Sequence, residues 1–325
     1  MSFFPLALAL TVGSARDAAI PADRPSIVLV IGAEGSPEYG REFQTWAARW
    51  REAADRAGAV WSVIGDEDTP RPDDSTSDRV RLHGALHAAR RDSPHPLWLV
   101  LIGHGTWDGR AARFNLRGPD VSAAELHEWL PAGERPTIVI NCASASGPFI
   151  DRLAAPGRMV ITATKSGSEV NFARFGDALS AAIADPAADL DKDGQTSLLE
   201  AWLLASRQTE EFYKSAGRLP TEHALLDDTG DGRGVRPDAF IGVRPVQRPA
   251  DGQPSDGYRA HQVHFVPSTD EQRLAPELRE RRDRLELELF DLRDRKPQLA
   301  EDEYHRRLEA ILVELATLYE SAGKR

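Results

Sequence analysis

The chain has 325 residues, 41% of them hydrophobic, which is enough to build a sizeable core and argues against wholesale disorder. A formal net charge of −11 argues against a general nucleic-acid binder, which would show a basic stripe. One cysteine, Cys142, excludes an intramolecular disulfide framework and leaves an inert buried thiol, an intermolecular bridge or a reactive nucleophile.

In chain order, residues Phe3 to Val12 form a short apolar stretch followed by the small residues Gly13, Ser14 and Ala15. This reads as a signal-peptide core, with residues 1–24 as a leader, although no Lys or Arg precedes it. The alternative is a plain apolar tail. Export to the periplasm or exterior is the expectation, with the processed chain soluble and free of membrane. No other segment approaches the roughly 20 apolar residues that span a bilayer.

Strand-like runs rich in Val and Ile fall at Ser26–Ile31, Ala59–Ile64, Leu97–Ile102, Thr137–Ile140 and Arg158–Ala163. They are apolar on both faces, as strands sandwiched between helix layers are. A helix is predicted over Tyr39–Ala57, where Phe43, Trp46, Ala47, Trp50 and Ala54 recur at helical spacing and Gly58 follows as a stop. Ser122 with Glu125 predicts a capping box, and further helices are expected over Phe172–Ile183 and Leu198–Tyr213. Alternating strands and helices imply an α/β fold with a mainly parallel sheet over residues 25–245.

Residues 246–270 are polar, carry Pro249, Pro254 and Pro267, and read as a linker with one short strand at Gln262–Val266. Over 271–325, Leu278, Leu285, Leu289 and Leu292 form one seam, and Tyr304, Leu308, Ile311, Leu315 and Leu318 form another beyond Pro297. They predict a C-terminal α-helical hairpin that either packs on the main domain or serves self-association or partner docking.

Two strand ends carry chemistry. One run closes in Ile102-Gly103-His104-Gly105 and the next in Asn141-Cys142-Ala-Ser-Ala-Ser146-Gly147. The carboxyl edge of an open α/β sheet is where ligands bind. A thiol and an imidazole there suggest peptide hydrolysis through a Cys142 thioester, with His104 as acid and base. The backbone N–H groups of Gly105 and Cys142 would form the oxyanion hole, at about 3 kcal/mol per donor. No Gly-x-Ser-x-Gly elbow follows any strand, which argues against a serine hydrolase.

These stretches, with Val160-Ile-Thr-Ala-Thr-Lys-Ser-Gly-Ser-Glu169, resemble the caspase-like cysteine peptidases, and most closely their legumain-type branch with its bacterial members. The resemblance covers roughly Ile27 to Arg244. It implies a caspase-like three-layer fold, His104 and Cys142 as the catalytic pair, and a peptide or protein substrate. Asparagine-specific legumains carry an acidic residue two positions before the cysteine, where this chain has Ile140. Asparaginyl specificity is therefore not carried over. Arg41, Thr164 and Glu169 are the candidates for lining the specificity pocket, Arg41 being equally readable as a solvated first-turn residue.

Asp189-Leu-Asp-Lys-Asp-Gly-Gln-Thr-Ser-Leu-Leu-Glu200 fits an EF-hand loop. Asp189, Asp191 and Asp193 supply carboxylates, Gly194 the turn, Gln195 a carbonyl, Ser197 the water-mediated position and Glu200 the bidentate closure. Ca2+ in a structural or regulatory role is the expectation. Asp227-Asp-Thr-Gly-Asp-Gly232 with Asp238 is a partial second pattern, equally readable as a polar turn. Two other readings stay open: a transpeptidase using the same pair, and a calcium-dependent interaction module without catalysis.

Overall fold

The computed structural model describes residues 24–66, 77–89, 93–131, 135–247 and 254–323. The leader expected at 1–24 lies outside the described residues except for its last, Arg24.

Six strands form the central sheet: β1 (Ser26–Ile31), β2 (Val60–Ile64), β3 (Leu97–Ile102), β7 (Thr137–Asn141), β8 (Arg158–Thr162) and β9 (Leu225–Asp227). Their order is β2-β1-β3-β7-β8-β9, with only β9 antiparallel to its neighbour. Between β3 and β7 a small antiparallel sheet intervenes, made of β4 (Gly105–Trp107), β5 (Ala112–Phe114) and β6 (Val121–Ser122). A two-stranded ribbon, β10 (Phe240–Ile241) and β11 (Arg244–Pro245), follows the main sheet.

The alternation of side chains sorts the core into two layers. Ile27, Leu29 and Ile31 of β1 and Trp98, Val100 and Ile102 of β3 face α1 (Pro37–Arg56), α5 (Phe175–Ala182) and α6 (Leu198–Ser215). Val28, Val30, Leu99 and Leu101 face α2 (Asp78–Ala88), α3 (Ala123–Trp129) and α4 (Phe149–Leu153). Ser36 caps α1 and Pro37 opens it, so this helix starts before the predicted Tyr39. The Ser122–Glu125 capping box is present at α3. The expected α/β architecture with a mainly parallel sheet is what the chain adopts.

The segment read as a linker packs instead. Short α7 (Tyr258–His261) lies within it, α8 (Thr269–Arg273) starts at its end, and Phe265 is buried against Trp50 and Trp98. A single bridge between Ser197 and His264 replaces the expected strand at Gln262–Val266. The polar residues that suggested solvent are paired inside the fold. Asp228, 2% exposed, accepts through Oδ2 from the N–H groups of Gly257 (3.0 Å) and Ala260 (2.7 Å). Asp256, 5% exposed, accepts through Oδ1 from those of Asp228 (3.0 Å) and Thr229 (3.2 Å). Residues 248–253 lie outside the described residues.

Beyond this strap, α9 (Pro276–Asp294) and α10 (Glu301–Gly323) form the predicted hairpin. Leu285, Leu289 and Leu315 are buried in its seam with Leu308 and Ile311 against them. No helix among the described residues is long and apolar enough to cross a membrane.

Candidate active site

β3 and β7 are parallel neighbours, with Leu101 paired to Asn141. His104 leaves β3 on the α1 side. Its ring packs against Tyr39, Phe43 and Phe172 at centroid distances of 5.1, 5.3 and 5.8 Å. Nε2 lies 3.2 Å from the Glu34 carbonyl oxygen. A carbonyl only accepts, so this contact assigns the hydrogen to Nε2 and leaves Nδ1 as the basic nitrogen of the neutral ring.

Cys142 is not at the rim. Its side chain continues the inward alternation of Ile138 and Ile140 and is 1% exposed. Gly176 and Trp46 close over it: a Cβ on Gly176 would lie 2.7 Å from both the Cys142 Cβ and the Trp46 ring. Burial, with the Glu222 charge adding to it, pushes the thiol up to about 12. That opposes a thiolate nucleophile, which needs its pKa lowered. The Cys142 N–H donates to the Leu101 carbonyl at 2.9 Å, so the sheet ladder takes the expected oxyanion donor.

The turn that follows meets the His-Gly loop. Ser144 Oγ accepts from the Gly105 N–H at 3.2 Å and lies 3.2 Å from the Gly105 carbonyl, to which its hydroxyl donates. The second expected oxyanion donor thus points at the Ser144 hydroxyl. Ala145 sits in the left-handed region (φ 53°), and its N–H donates to the Glu169 carbonyl at 2.7 Å. Asn141 Oδ1 accepts from the Ala143 N–H at 3.0 Å.

The specificity candidates separate. Thr164 is fully buried, and its hydroxyl accepts from the Gly147 N–H (3.0 Å) and contacts Ser146 Oγ (3.2 Å). It braces the turn and lines no groove. The Glu169 carboxylate is held by His223 Nδ1 at 2.5 Å and by the Lys165 N–H at 2.9 Å. Arg41 is exposed on the second turn of α1. Trp107 of β4 lies across Gly167, where a Cβ would come within 2.5 Å of the indole. This wall escaped sequence reasoning, because a lone Trp in a short irregular stretch carries no periodic signal. A cavity of about 540 Å³ opens beside His223, lined among others by Phe175, Leu203, Glu222, Arg236 and Phe240, and not by His104.

In the EF-hand-type loop, Asp189, Asp191 and Asp193 each bring a carboxylate oxygen within 4.8 Å of the others. Gly194 makes the turn at φ 90°. Burial raises the Asp193 carboxyl, and the Asp191 and Glu200 charges add to this. Such an all-oxygen, strongly anionic set suits a hard cation. Ser197 and Glu200 form the capping box of α6: Glu200 Oε2 accepts from the Ser197 N–H and hydroxyl at 2.8 Å each. Glu200 Oε1 accepts from the Leu190 N–H at 2.7 Å. The loop is also touched from outside, Asp191 by His261 (2.9 Å) and Gln195 Oε1 by the Ser268 N–H (3.2 Å). In the second pattern Asp227 accepts from the Gly230 and Gly232 N–H groups at 2.7 and 2.9 Å, and Asp238 pairs with Arg236.

Two caspases are similar in structure. The Drosophila initiator caspase Dronc has a TM-score of 0.42 and 11% identity, over 68% of this chain and 86% of its own. Caspase-1 from Spodoptera frugiperda has a TM-score of 0.40 and 10% identity, over 66% of this chain and 92% of its own. No family model and no curated protein matches the chain.

Proposed function

We propose that the chain hydrolyses peptide bonds by acyl transfer at the rim shared by β3 and β7, with a peptide or protein as substrate. The observation that carries this reading is the direct bonding of the His-Gly loop to the turn after β7, through Gly105 and Ser144. It brings together a base and a turn of small residues, two of the parts acyl transfer needs. His104 is held by Glu34 and three aromatic rings, which fixes the nitrogen it presents. It takes the proton of the attacking group, returns it to the leaving amine and then activates water. A transpeptidase replaces that water by an amine on the same residues.

The test is turnover of a peptide library by the full chain and by His104→Ala. Loss of turnover by about 10²-fold or more, with unchanged thermal stability, supports the reading. Equal rates refute it.

The Asp189–Glu200 loop holds Ca2+ in this reading, through Asp189, Asp191 and Asp193 and the Gln195 carbonyl. The ion would stiffen the segment before α6. A second reading, a calcium-dependent interaction module without turnover, draws on the burial of the only thiol. The α9–α10 hairpin, with Leu312 and Val313 exposed on α10, would be its docking or self-association surface.

A further inference from the structure

From the packing of α5 we infer that the stretch entering this helix is a latch shutting the thiol off from the imidazole, and that Glu222 holds it shut. The inference rests on the acyl-transfer reading above, with Cys142 as the attacking group.

Residues Phe172 to Gly176 meet both reactive side chains. At one end the Phe172 ring stacks on Tyr39 at 4.3 Å between centroids and packs on His104 at 5.8 Å and Trp46 at 6.0 Å. At the other end Gly176 lies on Cys142 and Trp46 so closely that not even a methyl group would fit. Among the described residues no hydrogen bond joins the thiol to the imidazole. Each touches this five-residue stretch instead.

One side chain secures the stretch. Arg174, the N-cap of α5, makes no side-chain cap bond of its own. The Glu222 carboxylate supplies the cap, accepting from the Arg174 N–H at 2.8 and 2.9 Å and from the Phe175 N–H at 3.0 Å. Its Oε1 also accepts from the Tyr213 hydroxyl at 2.9 Å. A carboxylate there satisfies orphan helix donors and meets the positive end of the dipole.

The latch has a hinge and a place to go. Upstream, Glu169 is tied to the Ala145 N–H and to His223, but Val170 and Asn171, between it and Phe172, are exposed. Behind α5, the cavity of about 540 Å³ is lined by Ala163, Phe175 and Glu222. Ala163 is the neighbour of Cys142 across β7 and β8, its N–H donating to the Asn141 carbonyl at 2.9 Å. A close-packed interior resists such a movement, whereas this cavity lets the Phe175 ring swing without displacing the sheet. Opening brings solvent to the thiol and relieves the burial that holds it protonated.

The experiment follows iodoacetamide labelling of Cys142 in the folded full chain, with peptide-library turnover in parallel, for wild type, Glu222→Gln and Phe172→Ala. Glu222→Gln weakens the cap and also removes a charge that raises the thiol. Phe172→Ala frees the other end and leaves that charge in place. Both variants are expected to label about tenfold faster than wild type, the scale of a lost helix cap, with turnover rising alongside. Repeating the labelling in low urea separates latch opening from general instability. Local opening exposes little surface and gives a nearly flat dependence, whereas global unfolding makes the rate climb steeply. Equal labelling in wild type and Phe172→Ala, or a steep urea dependence in all three chains, overturns the latch. Turnover in the wild type with equal labelling leaves the acyl-transfer reading standing. Faster labelling in both variants with no turnover in any chain supports the latch and refutes that reading.

Discussion

Asp256 and Asp228 are both buried, and the two carboxylates offer a sharp test of how the C-terminal strap is held. Asp228 Oδ1 is buried and meets no donor in the described structure, while each acid already takes two backbone N–H groups. Burial, reinforced by the Asp228 and Asp227 charges, raises Asp256 from 3.8 to about 8, and Asp228 moves in the same direction. The pair therefore holds a proton near neutrality that the unfolded chain has lost. The sign follows from that difference. A carboxyl raised on folding contributes stability fully below its unfolded value, near 3.8, and loses it as pH climbs to about 8. One bound proton corresponds to a loss of about 1.4 kcal/mol per pH unit inside that window. Asp256→Asn keeps the oxygen that accepts from Asp228 and Thr229, and its amide can donate permanently to Asp228 Oδ1. Urea unfolding of the full chain at steps from pH 5 to 9 should show wild type losing stability relative to Asp256→Asn up to about pH 8, then running parallel. Taking the difference removes groups common to both chains. One of these is His264, which burial lowers to about 4 and which therefore acts in the opposite direction. Superimposable profiles would refute the shared proton.

Gly105→Ala forces a Cβ to within 2.3 Å of the Ser144 carbonyl oxygen. Displacing that turn by about 1 Å should cost about 10²-fold in peptide turnover. The accompanying loss of stability should be about 1–3 kcal/mol, read from denaturant midpoints. Glu200→Ala removes one partner of the α6 capping box, so it should weaken Ca2+ binding by calorimetry and also lower apo stability by about 1 kcal/mol. Asp193→Asn, in contrast, should reduce Ca2+ affinity while leaving apo stability near wild type. Equal affinities in both variants and wild type would remove the loop from ion binding.

The sheet was legible because its strands are uninterrupted Val and Ile runs between helices. β1 and β3 occupy the predicted Ser26–Ile31 and Leu97–Ile102. β9 escaped, since three residues ending in Asp227 carry no periodicity, and so did β4 to β6. The strap at 254–268 was misjudged for a physical reason: proline and polar content signals solvent only when the polar groups lack internal partners. Here Asp228 and Asp256 find backbone amides. At the site, His104 was legible from the Gly-His-Gly break after an apolar strand. The burial of Cys142 was not, because a sequence shows a unique cysteine but not which face of the strand it continues. The deciding fact is that β7 runs on through Asn141 and keeps residue 142 in the ladder. A one-residue extension of a strand changes which side chain emerges at its end.

The C-terminal arm crosses the acidic loop at defined points. His261 holds Asp191, Ser268 reaches Gln195, and the Leu198 N–H at the head of α6 donates to the Val263 carbonyl at 2.7 Å. Were the loop to take a cation through Asp191, its binding and the arm's hold on that carboxylate would be linked, each changing the other by the same free energy.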